Sequence, residues 1–125
     1  MRDLKGIISD LYSFSKKHEL KEITNINNGS NLQMIFSNNN VQIEFLRDKG
    51  EFSTYINFLK IPTKRDLYSL NIIAEILSNE NIRDTNHLNQ LNYLQEYWSS
   101  IFDLFKNDVK VDEKYDVIFN KLFDW

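Results

Sequence analysis

The chain has 125 residues, a formal net charge of −3 at pH 7 and no cysteine, with two histidines, three glycines and one proline. This length suits a single domain with its own core, and a hydrophobic content of 42% excludes a disordered tail. Because the residue types that bind metals and act as strong nucleophiles are scarce, the composition argues against an enzyme and against a cofactor or metal. It favours a protein that acts through its surface.

Apolar residues near the N-terminus recur every three or four positions and predict a helix over about residues 2–19. From residue 31 onward, apolar residues instead alternate with polar ones in three runs separated by short turns. This pattern predicts three antiparallel strands, and residues 22–27 could add a fourth strand at the edge. The predicted inward-facing residues are Leu32, Met34, Phe36, Val41, Ile43, Phe45, Phe52, Thr54, Ile56 and Phe58.

Three helices are predicted after Pro62, which ends the strands. Thr63 and Asp66 resemble a capping box, with Asp in place of Glu, for a helix that ends near residue 78. Residues 79–84 then read as a loop.

The next predicted helix has the strongest periodic pattern in the chain. Asp84 or Thr85 would cap it, and Asp112 would cap the last helix after a break at residues 106–108. The apolar stripe of the long helix consists of Leu88, Leu91, Leu94, Trp98, Ile101 and Phe105.

Together these elements predict one α+β domain over residues 1–125, with a three- to four-stranded antiparallel sheet packed by helices in the order α-β-β-β-α-α-α. The second face of the sheet is mainly polar but also contains Ile35, Leu46 and Tyr55. These three side chains could form an apolar patch for a partner, or another helix could cross the sheet there.

Candidate reactive groups are isolated in the sequence. Ser13 and Lys16 match an S-x-x-K motif without any companion motif, and His18 stands alone at a helix end. Asp84 and His87 have a spacing that suits two metal ligands, but no second pair of ligands exists.

Carboxylate pairs near the C-terminus are also weak candidates for acid–base chemistry. Asp112 with Asp116, and Glu113 with Asp116, lie about one turn apart on a charged helix, which does not place them across a cleft. The sequence therefore predicts no catalytic residue.

The charges are unevenly distributed along the chain. Residues 66–105 contain six acidic residues and one basic residue, Arg83. No cluster of lysine and arginine suits nucleic acid, whereas an acidic region attracts a basic protein. Tyr93 and Tyr97 lie off the main apolar stripe near Glu96 and Asp103, and tyrosines beside carboxylates are typical of interface hot spots.

The run from Leu91 to Phe105, LNYLQEYWSSIFDLF, in a small acidic chain without cysteine, resembles bacterial immunity proteins of polymorphic or contact-dependent growth-inhibition toxin systems. The resemblance covers roughly residues 30–125 and transfers no functional residue. It implies a cytoplasmic protein that binds a toxin domain, often a basic nuclease, and covers its active site or substrate surface. The absence of a signal peptide and of a long apolar run agrees with the cytoplasm and with no membrane partner.

We therefore expect an immunity protein, either a monomer or a weak homodimer, that uses no cofactor. Its expected contact residues are Glu80, Asp84, Glu96, Tyr97 and Asp103, with Glu44 and Tyr55 on the open sheet face as a second choice. One alternative is a self-associating structural or adaptor domain that pairs through the patch of Ile35, Leu46 and Tyr55. Another is a small hydrolase built around Ser13 and Lys16.

Overall fold

A computed structural model describes residues 4–29, 31–82 and 86–122 of the chain. These ranges form an α+β arrangement of five helices and five strands. In chain order the elements are α1 (Leu4–Lys17), β1 (Lys21–Asn27), β2 (Leu32–Ser37), β3 (Val41–Asp48), β4 (Glu51–Phe58), β5 (Tyr68–Ser69), α2 (Leu70–Ser78), α3 (His87–Glu96), α4 (Trp98–Asn107) and α5 (Val111–Leu122).

The strands form one antiparallel sheet in the order β1-β2-β3-β4-β5. The three strands predicted from alternation are confirmed, and the segment at 22–27 is indeed an edge strand. The prediction of three or four strands is wrong by one, because Tyr68 and Ser69 pair with Ile56 and Tyr55 of β4. Two residues are too few to produce an alternating pattern, so this strand could not be predicted from periodicity.

The hairpin between β3 and β4 turns through Lys49 and Gly50, both of which have positive φ, at 53° and 84°. Such turns match the right-handed twist of the flanking strands. The backbone N–H of Lys49 donates to Oδ1 of Asn31 at 3.1 Å, which holds this non-glycine residue in the left-handed region. The turn thereby fixes Asp48 opposite Glu51 and sets the register of the hairpin.

One face of the sheet is covered by α1, α3 and α4. Phe14 of α1 meets Phe45 edge to face at 5.8 Å, and Phe105 of α4 lies 4.4 Å from Phe58. The residues predicted to face inward, from Leu32 to Phe58, are all buried, which confirms the predicted core.

A polar clamp joins α3 to β4 inside this core. Gln90 is fully buried; its Oε1 accepts from the Thr54 hydroxyl at 2.9 Å and its Nε2 donates to the Phe52 carbonyl at 2.6 Å. Both ends of the amide are satisfied, as a buried polar group requires.

The predicted long aromatic helix is two helices. Tyr97 separates α3 from α4, with φ −104° and ψ 17°, outside the helical range. The break lets two neighbouring rings pack on different partners: Tyr97 stacks on Tyr93, whereas Trp98 stacks on His18. The break was not predicted because Trp98, Ile101 and Phe105 continue the helical spacing of apolar residues across it.

Two of the predicted helix starts are also wrong. The Thr63 hydroxyl donates to the Arg65 carbonyl, and α2 begins only at Leu70, so no capping box forms. Asp112 lies within the first turn of α5 rather than before it.

The N-cap of α3 is Asn86, whose side chain accepts from the backbone N–H of Asn89. The predicted caps Asp84 and Thr85 lie outside the described residues. Across the ranges that are described, no helix combines the length and the apolar composition needed to cross a membrane.

β1 is the long edge strand of the sheet. Its pairing with β2 contains a bulge between Glu22 and Thr24, and Ile23 and Ile26 are 59% and 54% exposed. Tyr12 of α1 braces this strand, because its hydroxyl donates to Glu22 and accepts from the amide of Asn25.

His18 is stacked on the Trp98 ring at a centroid distance of 4.4 Å and packs against Phe14. Burial, assisted by the charge of Lys17, lowers the pKa of His18 below its usual value of 6.5. The folded protein therefore disfavours the imidazolium form relative to the unfolded chain.

This shift predicts a pH dependence of stability. As pH falls below about 6.5, the unfolded state takes up the His18 proton first, so the contribution of this residue is complete above that pH and is lost below it. We expect the decrease in the free energy of unfolding between about pH 7.5 and about pH 5 to be smaller in His18→Phe, which keeps the stacked ring. Urea denaturation of both proteins at both pH values measures this, and equal decreases would contradict it.

Candidate functional site

The first candidate surface lies where the C-terminal end of α2 approaches the end of α3. We call Glu80, Glu96 and Tyr97 the acidic tyrosine surface. Tyr97 stacks on the buried Tyr93 at 4.4 Å with an interplanar angle of 28°, and its hydroxyl points to Oε1 of Glu80 at 3.4 Å. Tyr93 is anchored in turn by a 2.7 Å hydrogen bond with Ser78. The exposed edge of Tyr97 is therefore supported by a rigid ring beneath it.

The carboxylates around Tyr97 set its electrostatics. Glu80 and then Glu96 raise the pKa of Tyr97 above its usual value of 10.0, because they disfavour a second negative charge. The phenol is therefore neutral at pH 7 and acts as a donor beside two acceptors. Lys17 donates to Gln95, the residue before Glu96, at 2.9 Å.

One further predicted contact residue, Asp103, does not join this surface. Asp103 is exposed on α4 and borders a separate depression of about 360 Å³ together with Lys60 and Lys106. Asp84 lies outside the described residues. The structure thus brings together three of the five first-choice residues.

The second candidate surface is the outer face of the sheet, where Glu44 and Tyr55 lie opposite each other on β3 and β4. Together with Leu46 they form one wall of a cleft of about 510 Å³. The remaining lining residues come from the loop before β5, from β5, α2 and α5: Arg65, Leu67, Ser69, Asn71, Ile72, Tyr115, Phe119 and Leu122. The apolar side chains Ile35, Leu46 and Tyr55 of this face are half-buried, and α5 borders the face without closing over it.

Arg65 lines the same cleft as Glu44. Its guanidinium lies 4.4 Å from the ring centroid of Phe119 and 5.0 Å from that of Tyr115, a cation–π geometry. Its Nη2 donates to Asp116 at 2.8 Å, and Lys64 donates to the same carboxylate. Lys64 and Arg65 lower the pKa of Asp116, which therefore stays ionised.

The loop that carries Arg65 is held by two tyrosines of the core. The hydroxyl of Tyr68 accepts from the backbone N–H of Arg65 and donates to Asp112, and burial together with this carboxylate raises the pKa of Tyr68 to about 12. The hydroxyl of Tyr115 accepts from the backbone N–H of Ser69 at 2.7 Å. These contacts fix the positions of Arg65 and Ser69 in the lining of the cleft.

Four lining residues of this cleft, Arg65, Asn71, Tyr115 and Phe119, were not predicted from the sequence as site residues. The sequence does contain one usable signal, the basic pair Lys64–Arg65, which begins six positions before α2 and has a charge opposite to that of the C-terminal carboxylates. The sequence alone does not show which carboxylate this basic pair contacts.

Of the reactive groups singled out in the sequence, Ser13 and Lys16 lie on α1 and His87 lies on α3, and Asp84 is outside the described residues. Ser13 and Lys16 are exposed on α1 and, within the described part of the chain, make no hydrogen bond with each other. His87 is buried and pairs with Asp10 at 2.7 Å, which ties α3 to α1.

The carboxylates of α5 are likewise engaged, since Asp112 binds Tyr68 and Asp116 binds Arg65. Within residues 4–29, 31–82 and 86–122, no three side chains of the metal-binding types come together in a group that could hold an ion.

The hydrogen bonds of Tyr68 lead to a stability prediction. Tyr68→Phe removes a buried acceptor from the Arg65 N–H and a donor from Asp112, so we expect a loss of about 2 kcal/mol in the free energy of unfolding. Tyr12→Phe serves as the control, because its hydroxyl bonds Glu22 at the surface, and we expect it to lose less than about 0.5 kcal/mol. Urea denaturation measures both, and equal losses would contradict the role assigned to Tyr68.

In comparisons with known proteins, the chain matches no protein-family model, no curated protein and no solved structure.

Proposed function

We propose that this protein is an immunity protein that neutralises a bacterial toxin domain in the cytoplasm. The partner is a basic domain, such as a nuclease, and the acidic tyrosine surface covers its active site or its substrate-binding surface. Two features support this: the resemblance of residues 91–105 to immunity proteins, and an acidic surface that carries the half-buried Tyr97.

The observation that carries the proposal is the arrangement around Tyr97. A tyrosine that is already stacked on Tyr93 loses little side-chain entropy when a partner covers it. Glu80 and Glu96 beside it supply acceptors for lysine or arginine, and charge-assisted hydrogen bonds to these are stronger than neutral ones. Tyrosine is among the residue types that most often dominate the binding energy of an interface.

The same charges explain how inhibition would be fast as well as tight. A nuclease cleft is positive because it binds phosphates, so carboxylates at a matching position steer association and then occupy the substrate site. No chemistry is required of the immunity protein. Its action is to exclude the substrate.

The direct test is co-purification with the toxin domain encoded by a neighbouring reading frame. We expect a stable complex in which the activity of the domain is lost, and survival of cells that express both proteins. A toxin domain that neither binds this chain nor is neutralised by it would overturn the proposal.

The acidic surface makes a kinetic prediction. Glu80→Lys combined with Glu96→Lys should slow association with that domain by about tenfold at low salt and weaken its salt dependence. The measurement is stopped-flow or surface plasmon resonance at two or more salt concentrations.

A matched variant controls for net charge. Glu51→Lys combined with Glu113→Lys changes the charge by the same amount at two exposed positions on other elements. We expect a markedly smaller effect on association, and equal slowing by the two double variants would show that only net charge matters.

The half-buried apolar side chains of the outer sheet face support a second candidate, self-association. Ile35, Leu46 and Tyr55 lie on that face and could pair with the same residues of a second copy. Light scattering of the purified chain separates the two candidates, because a tight dimer that Leu46→Glu dissociates would favour self-association.

A further inference from the structure

The cleft between the outer sheet face and α5 has the size and composition of a small-molecule site. Its volume of about 510 Å³ is within the range of ligand pockets, and three of its lining residues are aromatic: Tyr55, Tyr115 and Phe119. Such walls offer broad, flat contact to a planar ring.

The cleft is formed before any ligand arrives. Tyr115 is fixed through its hydroxyl to the Ser69 N–H, and Arg65 is fixed between two rings and the Asp116 carboxylate. A site whose walls are already ordered requires little reorganisation on binding.

Two polar atoms of the lining residues lack partners. Nε of Arg65 and Oδ1 of Asn71 are buried without a hydrogen-bond partner among the described residues. Buried polar groups are nearly always paired, so such exceptions call for an explanation. One of these atoms is a donor and the other an acceptor, and both residues line the same cleft.

The charges of the lining residues select against a charged ligand. Glu44 would repel an anion, and its Oε2 is held by the amide of Gln33 at 2.9 Å. Arg65, whose side chain is 28% exposed, would repel a cation. A neutral head group that both donates and accepts hydrogen bonds is compatible with both charged residues. A planar amide has a donor and an acceptor in one plane.

We propose that this cleft binds a small, uncharged aromatic molecule that carries a planar amide. The ring lies against the aromatic walls, the amide oxygen accepts from the guanidinium of Arg65, and the amide N–H donates to Asn71. Rotation about the last side-chain torsion of Asn71, which is soft for amides, turns Oδ1 towards the ligand. This site is separate from the acidic tyrosine surface and does not depend on the toxin partner.

The test uses four matched probes added to the ¹⁵N-labelled full chain and followed by NMR. Benzamide has the proposed ring and head group, benzoate and benzylamine carry a negative and a positive head group in place of the neutral amide, and acetamide lacks the ring. We expect saturable shifts from benzamide at backbone amides of Leu46, Tyr55 and Asn71. Each of the other probes should bind at least about fivefold more weakly.

Each outcome bears on the proposal. Absence of saturable shifts at these amides overturns the site, equal binding of benzoate or benzylamine overturns the neutral amide, and equal binding of acetamide overturns the ring. Asn71→Leu should weaken benzamide at least about fivefold, whereas Asn89→Leu, at an exposed position in the first turn of α3, should leave it unchanged. Equal effects of the two substitutions would remove Asn71 from the site.

Discussion

Strict alternation along β2, β3 and β4 is the constraint on which the rest of the structure depends. It sends Phe45 into the helix-covered core and the next residue, Leu46, to the outer face. A shift of one residue in register would exchange the two faces along the whole strand. The turn at Lys49 and Gly50 prevents such a shift at one hairpin, and the buried clamp of Gln90 ties α3 to the correct face of β4.

With one face occupied by α1, α3 and α4, the last helix can only border the other. Arg65 fills the boundary between α5 and the sheet: its planar cation packs on Phe119 and Tyr115 and neutralises Asp116 at the same time. A shorter side chain could not do both. The outward-facing side chains of β3 and β4 are largely polar, so α5 does not pack directly against them. The cleft is the space that remains between α5 and these strands.

The fold was largely predictable from the sequence, whereas the sites were predictable only where their residues are close in the chain. Tyr97 and Glu96 were found because they are neighbours, but Arg65 and Tyr115 face each other from positions fifty residues apart. The break at Tyr97 was missed because ring packing against Tyr93, rather than local propensity, decides it. The capping box failed for a related reason, since Tyr68 draws its segment into the sheet before a helix can start.

The bulge in β1 has a consequence for how the protein behaves at high concentration. A straight edge strand with exposed isoleucines is a template on which a neighbouring chain can add its own strand. Between Glu22 and Thr24 the bulge breaks the even row of backbone donors and acceptors, and Lys21 and Glu22 place charges beside it. The other edge, β5, is only two residues long. The bulge and the neighbouring charges therefore hinder strand addition at β1, where Ile23 and Ile26 are exposed, and β5 itself offers few backbone groups to another chain.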